Sequence, residues 1–220
     1  MGLIKKFHFE EGEILLFNKP LTWTSFDVVN KVRIAIRKHL GKRIKVGHAG
    51  TLDPLATGLL VIATGRSTKK LNTLQDLAKV YTGKIALGAT TPSFDLESEI
   101  DETFETKHIT NEMIQQLTNK FVGKIEQVPP LYSAIKVNGK RAYHLARKGE
   151  DRQLKARLVE IFKMELNSSE FPILSFEVEC SKGTYIRSLA RDIGVELNSG
   201  AHLIELERTS IGEYSLDSAW

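Results

Sequence analysis

The chain predicts an α+β fold on a mixed sheet. Two observations carry this. Short apolar runs of strand length are interspersed with helical stretches, and their order follows no regular β-α-β period, as a doubly wound parallel fold would require. Glu13-Ile14-Leu15-Leu16-Phe17-Asn18 reads as a short buried strand, ended at Lys19-Pro20 because proline cannot continue a ladder. Thr24 or Ser25 then caps a helix, with Asp27 in the first turn near the positive end of the dipole. Val28, Val29, Val32, Ile36 and Leu40 form its buried stripe, and Gly41 closes it. Residues 59–64 are an apolar run between Gly58 and Gly65, hence a buried strand. Ser67 or Thr68 begins a second helix. Residues 81–89 read as a strand, 110–121 as a helix, 159–166 and 173–180 as two strands, and 187–197 as a helix with Gly200 beyond its end. The acidic segment with Pro92 is a loop, and the basic stretch around Pro129-Pro130 reads as an insertion leaving the core.

Composition bounds the function. The 220 residues suit one domain with a small insertion, and 41% hydrophobic content supports an ordinary core. No stretch approaches the roughly 18 apolar residues that span a bilayer, and the N-terminus lacks a secretory pattern. One cysteine, Cys180, fits a reducing compartment, so the expected location is cytoplasmic, with no membrane role. The net charge is only +4, but it is uneven. Residues 31–45 carry seven basic side chains and no acid, and residues 136–157 carry eight against Glu150 and Asp151. Such blocks suit a polyanion, although charge by itself reads first as solvated helix faces.

Two clusters could carry chemistry. Gly47-His48-Ala49-Gly50-Thr51-Leu52-Asp53-Pro54-Leu55-Ala56-Thr57-Gly58 places a carboxylate among glycines that permit close backbone approach. Pro54 restricts Asp53 towards an extended conformation. As a bare pattern this is also an ordinary turn. Cys180-Ser181-Lys182-Gly183-Thr184-Tyr185-Ile186-Arg187-Ser188-Leu189 lies between a predicted strand and a predicted helix. Arg187 in a first turn opposes the helix dipole, which points to a carboxylate or phosphate partner or to a plain surface arginine. Phosphate loops, dinucleotide fingerprints and paired metal-ligand spacings are missing from the sequence, so no cofactor and no metal are expected.

Together these clusters resemble the bacterial tRNA pseudouridine(55) synthases, the TruB-type enzymes. Leu15-Leu16-Phe17-Asn18-Lys19-Pro20 is similar to the family's first motif, and Gly47 to Gly58 to its catalytic loop. Pro129-Pro130-Leu131-Tyr132-Ser133-Ala134-Ile135-Lys136 and Gly139-Lys140-Arg141-Ala142-Tyr143 resemble its RNA-gripping thumb. Lys182-Gly183-Thr184-Tyr185-Ile186-Arg187 and Gly200-Ala201-His202-Leu203 complete the set, which runs from about Gly12 to about Arg208. The resemblance implies a single catalytic domain over residues 1–220, with a largely antiparallel sheet flanked by helices and a thumb at about 124–152. It implies Asp53 as the attacking carboxylate, Arg187 as its cation, and Tyr81 stacking on the flipped base. His48 would enter the RNA loop, Tyr185 and Leu206 would line the base pocket, and Lys19 would support it. Lys136, Lys140, Arg141 and Arg147 would grip the RNA backbone. The implied substrate is the T-arm stem-loop of tRNA, with no obligate protein partner. Three departures are the early stop at Trp220, before any domain similar to the PUA type, the loop Thr90-Thr91-Pro92-Ser93-Phe94-Asp95, where many relatives carry more aspartates, and Glu207 where a basic residue is frequent. The rivals are a guide-RNA-dependent dyskerin-type synthase and a non-catalytic RNA-binding or tRNA-folding protein on the same scaffold.

Overall fold

A computed structural model describes residues 6–132, 136–137, 140–141 and 154–220. The chain forms two compact units, residues 1–81 with 207–220, and residues 82–206. Its strands are β1 (Ile14–Lys19), β2 (Val46–His48), β3 (Thr57–Thr64), β4 (Lys79–Leu87), β5 (Ala89–Thr90), β6 (Glu102–Thr103), β7 (Gly123–Gln127), β8 (Lys136–Val137), β9 (Lys140–Arg141), β10 (Arg157–Glu170), β11 (Ile173–Cys180), β12 (Ala201–Ile211) and β13 (Tyr214–Ser215). The α-helices among the described residues are α1 (Ser25–Leu40), α2 (Leu71–Asp76), α3 (Asn111–Phe121) and α4 (Ile186–Glu196). Among the described residues, none of these helices is long and apolar enough to cross a membrane. Pairing is antiparallel for β1–β3, β2–β3, β10–β11, β7–β10 and β12–β13, and parallel for β3–β12, so the fold is the mixed, largely antiparallel α+β arrangement expected.

In the first unit β3 is the centre. Leu59, Leu60, Val61, Ile62 and Ala63 are all fully buried. Alternation along the strand sends Leu60 and Ile62 into one cluster with Leu15, Val28, Val29, Val32 and Ile36. Leu59 and Val61 enter another with Ala49, Leu74 and Ile211. Both faces are covered, which is why the run reads as continuously apolar. Each buried aliphatic of α1 contributes about 1.5–3 kcal/mol. The start of α1 is a capping box. The Thr24 hydroxyl accepts from the Asp27 N–H at 3.1 Å, and the Asp27 carboxylate accepts from the Thr24 N–H at 2.9 Å. Gly41 ends the helix at φ 71°, and its N–H reaches the Arg37 carbonyl.

In the second unit the strand order runs β4-β11-β10-β7, with α3 packed on β10. Across the two units, three features differ from the sequence reading. The chain stays in the sheet to Gln127, past the insertion boundary expected near residue 124, because β7 pairs with β10 from Arg157↔Gln127 to Ile161↔Gly123. Pro129 and Pro130 are themselves buried. The helix expected from Ser67 begins as a 3₁₀ turn over Gly65–Lys70 and becomes α-helical only at Leu71. A long strand, β12, went unread between Gly200 and Gly212. Of the stretch expected to form a thumb beyond Tyr132, only the backbone pairing of β8 with β9 is described, and Arg147 lies outside the described residues.

Candidate active site

The glycine-rich stretch forms the loop joining β2 to β3. Gly50 takes φ 96° and Gly58 φ 101°, backbone regions that a side chain strains. Between them the loop is tied down from several directions. The Ser25 hydroxyl accepts from the Leu52 N–H at 2.8 Å and donates to the Leu52 carbonyl at 3.1 Å, so one side chain at the start of α1 satisfies both polar groups of a buried residue. The Asp53 carbonyl accepts from the Ala56 N–H at 3.1 Å, closing a turn that leaves the Asp53 side chain partly exposed. The Asn18 side chain accepts from the Gly58 N–H at 3.2 Å. The Pro54 carbonyl accepts from the Thr22 N–H at 2.8 Å. Thr22 reaches it with φ 70°, an outlier for a β-branched residue and a strain of the kind that collects at functional sites.

Lys19 explains the motif that carries it. It is fully buried as the last residue of β1. Its ammonium donates to the carbonyls of Pro20 at 2.9 Å, Trp23 at 2.7 Å and Pro54 at 3.3 Å. Its pKa falls to about 8, mainly through burial and in smaller part through Arg208, against the opposing charges of Asp53 and Asp27. Lys19 thus grips the peptide that follows Asp53. His48, on β2, has its pKa lowered by burial, with the Gly50 backbone opposing and Arg208 reinforcing. Lys19, His48 and Asp53 therefore gather at one loop. Tyr81 is buried on β4.

Arg208 is the residue sequence reasoning missed. Its side chain is 1% exposed. Its Nε donates to the Leu59 carbonyl at 2.9 Å and one terminal nitrogen donates to the Gly50 carbonyl at 3.2 Å. Its neighbour Glu207 accepts a long 3.4 Å contact from the Thr57 hydroxyl. A strand signal was present, since Leu206 and Arg208 share a period-2 face, but intervening charges hid it.

In the second unit Tyr185 precedes α4, and its N–H donates to the Gln127 side chain at 2.8 Å. Leu206 is partly buried on β12. Arg187, only 3% exposed, is held by the Asp95 carboxylate at 3.5 Å, by the Tyr132 carbonyl at 2.9 Å and by the Ser93 carbonyl at 3.3 Å. Within this unit Asp95 thus gives Arg187 a carboxylate neighbour, one that the sequence offered only as part of an acidic loop. That loop is ordered by its own contacts, including the Ser93 and Ser98 hydroxyls at 2.7 Å. Among the described residues no three histidine, cysteine, aspartate or glutamate side chains gather as a metal-binding group.

Residues 37–186 match the sequence profile of the TruB family pseudouridylate synthases, N-terminal domain, which defines the class of protein as a pseudouridylate synthase. The chain belongs to the TruB family. A protein of Parabacteroides distasonis named tRNA pseudouridine synthase B is 58% identical over 210 residues, covering 95% of this chain and 89% of that protein. Its namesake in Phocaeicola vulgatus is 58% identical over 211 residues, covering 96% and 90%. Among solved structures, a chain of a Cbf5-Nop10-Gar1 complex matches with a TM-score of 0.68 and 30% identity. The match covers 94% of this chain and 51% of that one, so this chain spans about half the length of that neighbour.

Proposed function

We propose that this enzyme isomerises a uridine to pseudouridine in the T-arm loop of tRNA, with Asp53 as the nucleophile. The observation that carries the reading is the Asp53 loop itself. Its backbone is tied down on both sides of the carboxylate, by Ser25, Thr22 and Lys19, while the side chain stays partly exposed. A nucleophile held this way loses little freedom on reaction. The names of the relatives supply the tRNA substrate, and a cytoplasmic setting follows from it.

In this reading the target base leaves its stack at a cost of a few kcal/mol, and apolar and aromatic walls replace the lost stacking. Tyr81 stacks on the flipped base, with Tyr185 and Leu206 lining the pocket and His48 entering the RNA loop. The ionised Asp53 attacks, the glycosidic bond breaks, and the base rotates and rejoins through carbon. Arg187 provides the cation that favours the charged carboxylate. Lys136, Lys140, Arg141 and Arg147 hold phosphates from the thumb, as RNA loops are read largely by shape and backbone. The decisive test is Asp53→Asn, assayed by tritium release from unmodified tRNA. Turnover is expected to vanish with the fold and RNA affinity kept; measurable pseudouridine from the pure variant would refute the assignment.

A further inference from the structure

The ladder puts two buried cations on either side of one glycine. Gly58 is the Cα partner of Lys19 across the antiparallel β1–β3 pair and of Arg208 across the parallel β3–β12 pair. Gly58 has no side chain to separate them, and there is no room for one. A Cβ at this position would lie 2.4 Å from the Arg208 carbonyl oxygen and 2.6 Å from its nitrogen. Lys19 and Arg208 are both essentially sealed from solvent, at 0% and 1% exposure. Charges so buried are costly unless their hydrogens are all used. The hydrogen bonds described for both go to backbone carbonyls, and these flank Asp53 on both sides in sequence. Lys19 takes the carbonyl of Pro54, just after the carboxylate. Arg208 takes that of Gly50, three residues before it.

The two cations differ in geometry. Lysine is a point charge on a flexible stem. The guanidinium is a rigid fork, and here its separate nitrogens bridge Gly50, near the loop's start, to Leu59, on the strand that follows it. One planar group therefore fixes the distance between the loop's two ends. Gly50 accepts this bond from a backbone at φ 96°, a conformation that a side chain strains, whereas a Cβ there would meet Arg208 only at an ordinary van der Waals distance of 3.4 Å.

We propose that Arg208 is a positioning residue for catalysis, a two-ended staple that sets the reach of the Asp53 carboxylate without touching the substrate. The proposal rests on Asp53 being the nucleophile. Arg208→Lys keeps the charge and the stem but loses the fork, so it can hold one carbonyl and not both.

The test measures Arg208→Lys, with Gly50→Ala straining the backbone that carries the carbonyl Arg208 holds. Each is compared with wild type for single-turnover rate at saturating enzyme, tRNA Kd, and amide exchange at Leu52 and Ala56. Displacing a reacting group by about 1 Å costs on the order of 10²-fold in rate. A loss of that order is expected, with Kd within about two-fold and faster exchange confined to the loop, the amides of α1 and β1 staying protected. A wild-type rate in folded Arg208→Lys would overturn the proposal. So would parallel loss of rate, affinity and protection throughout the unit, since that is what a merely structural arginine would give. If Arg208→Lys does not fold, Gly50→Ala decides by the same criteria. Asp53→Asn, run alongside, separates the two ideas: turnover by that variant defeats the nucleophile assignment, whereas an inert Asp53→Asn with a fully active Arg208→Lys defeats only the staple.

Discussion

Replacing Lys19 with methionine removes a titration whose size the structure sets. Burial brings the ammonium from its ordinary 10.5 to about 8, with Arg208 adding to the fall and Asp53 and Asp27 opposing it. A folded pKa below the unfolded one means that between about pH 8 and 10.5 the unfolded chain binds the extra proton. Stability from this group therefore rises with pH through that window. Below pH 8 both states are protonated, and the folded state carries the full cost of the buried charge. Each pKa unit is worth about 1.36 kcal/mol, so between pH 7.5 and 9.5 wild type should gain about 2 kcal/mol relative to Lys19→Met. The variant also leaves the Pro54, Trp23 and Pro20 carbonyls without this donor, which shifts its stability at every pH and does not alter the slope. Urea melts of both proteins across that range measure the difference, in which other titrations cancel. A difference that stays constant with pH would refute the reasoning and place the ammonium in ordinary solvent.

Gly58→Ala should destabilise by more than about 2 kcal/mol, combining a positive φ with a Cβ driven into the Arg208 backbone, and thermal melting will read it. Ser25→Ala leaves the buried Leu52 N–H and carbonyl without the hydroxyl that serves both, at a cost of about 1–3 kcal/mol, and should speed proteolysis within the loop. Binding to tRNA should weaken steeply with salt, and replacing Arg141 and Arg147 with alanine should flatten that slope while leaving the single-turnover rate at saturating enzyme nearly unchanged.

What could be read from sequence was local. α1 carries its own start and stop in Thr24, Asp27 and Gly41, and its stripe of Val28, Val29, Val32 and Ile36 repeats at helical spacing, so its bounds were legible. β3 was legible because burial on both faces makes it uniformly apolar. β12 was not, because charged residues alternate with its apolar ones and no turn signal lies inside it. The special character of the loop from Gly47 to Gly58 was visible, since glycines and Asp53-Pro54 are local signals. What pins the loop was not. Ser25 lies 27 residues from Leu52, and Arg208 lies 149 and 158 residues from Leu59 and Gly50. The Asp95 partner of Arg187 was obscure for the same reason, being one acid among several in a loop whose path depends on hydroxyl contacts.

That separation has a consequence in time. Arg208 follows Gly50 by 158 residues, which at about 5–20 residues per second amounts to roughly 8–30 s of synthesis. Through that interval β1, β2, β3 and α1 are already made, and Lys19 can hold Pro54, but the other end of the loop has nothing to fasten it. The nascent first unit is missing the strand that pairs with β3 on its β12 side, and its most apolar segment stays open along that edge. The second fastening of the loop therefore arrives late in synthesis, when an arginine from far downstream reaches a segment made near the beginning.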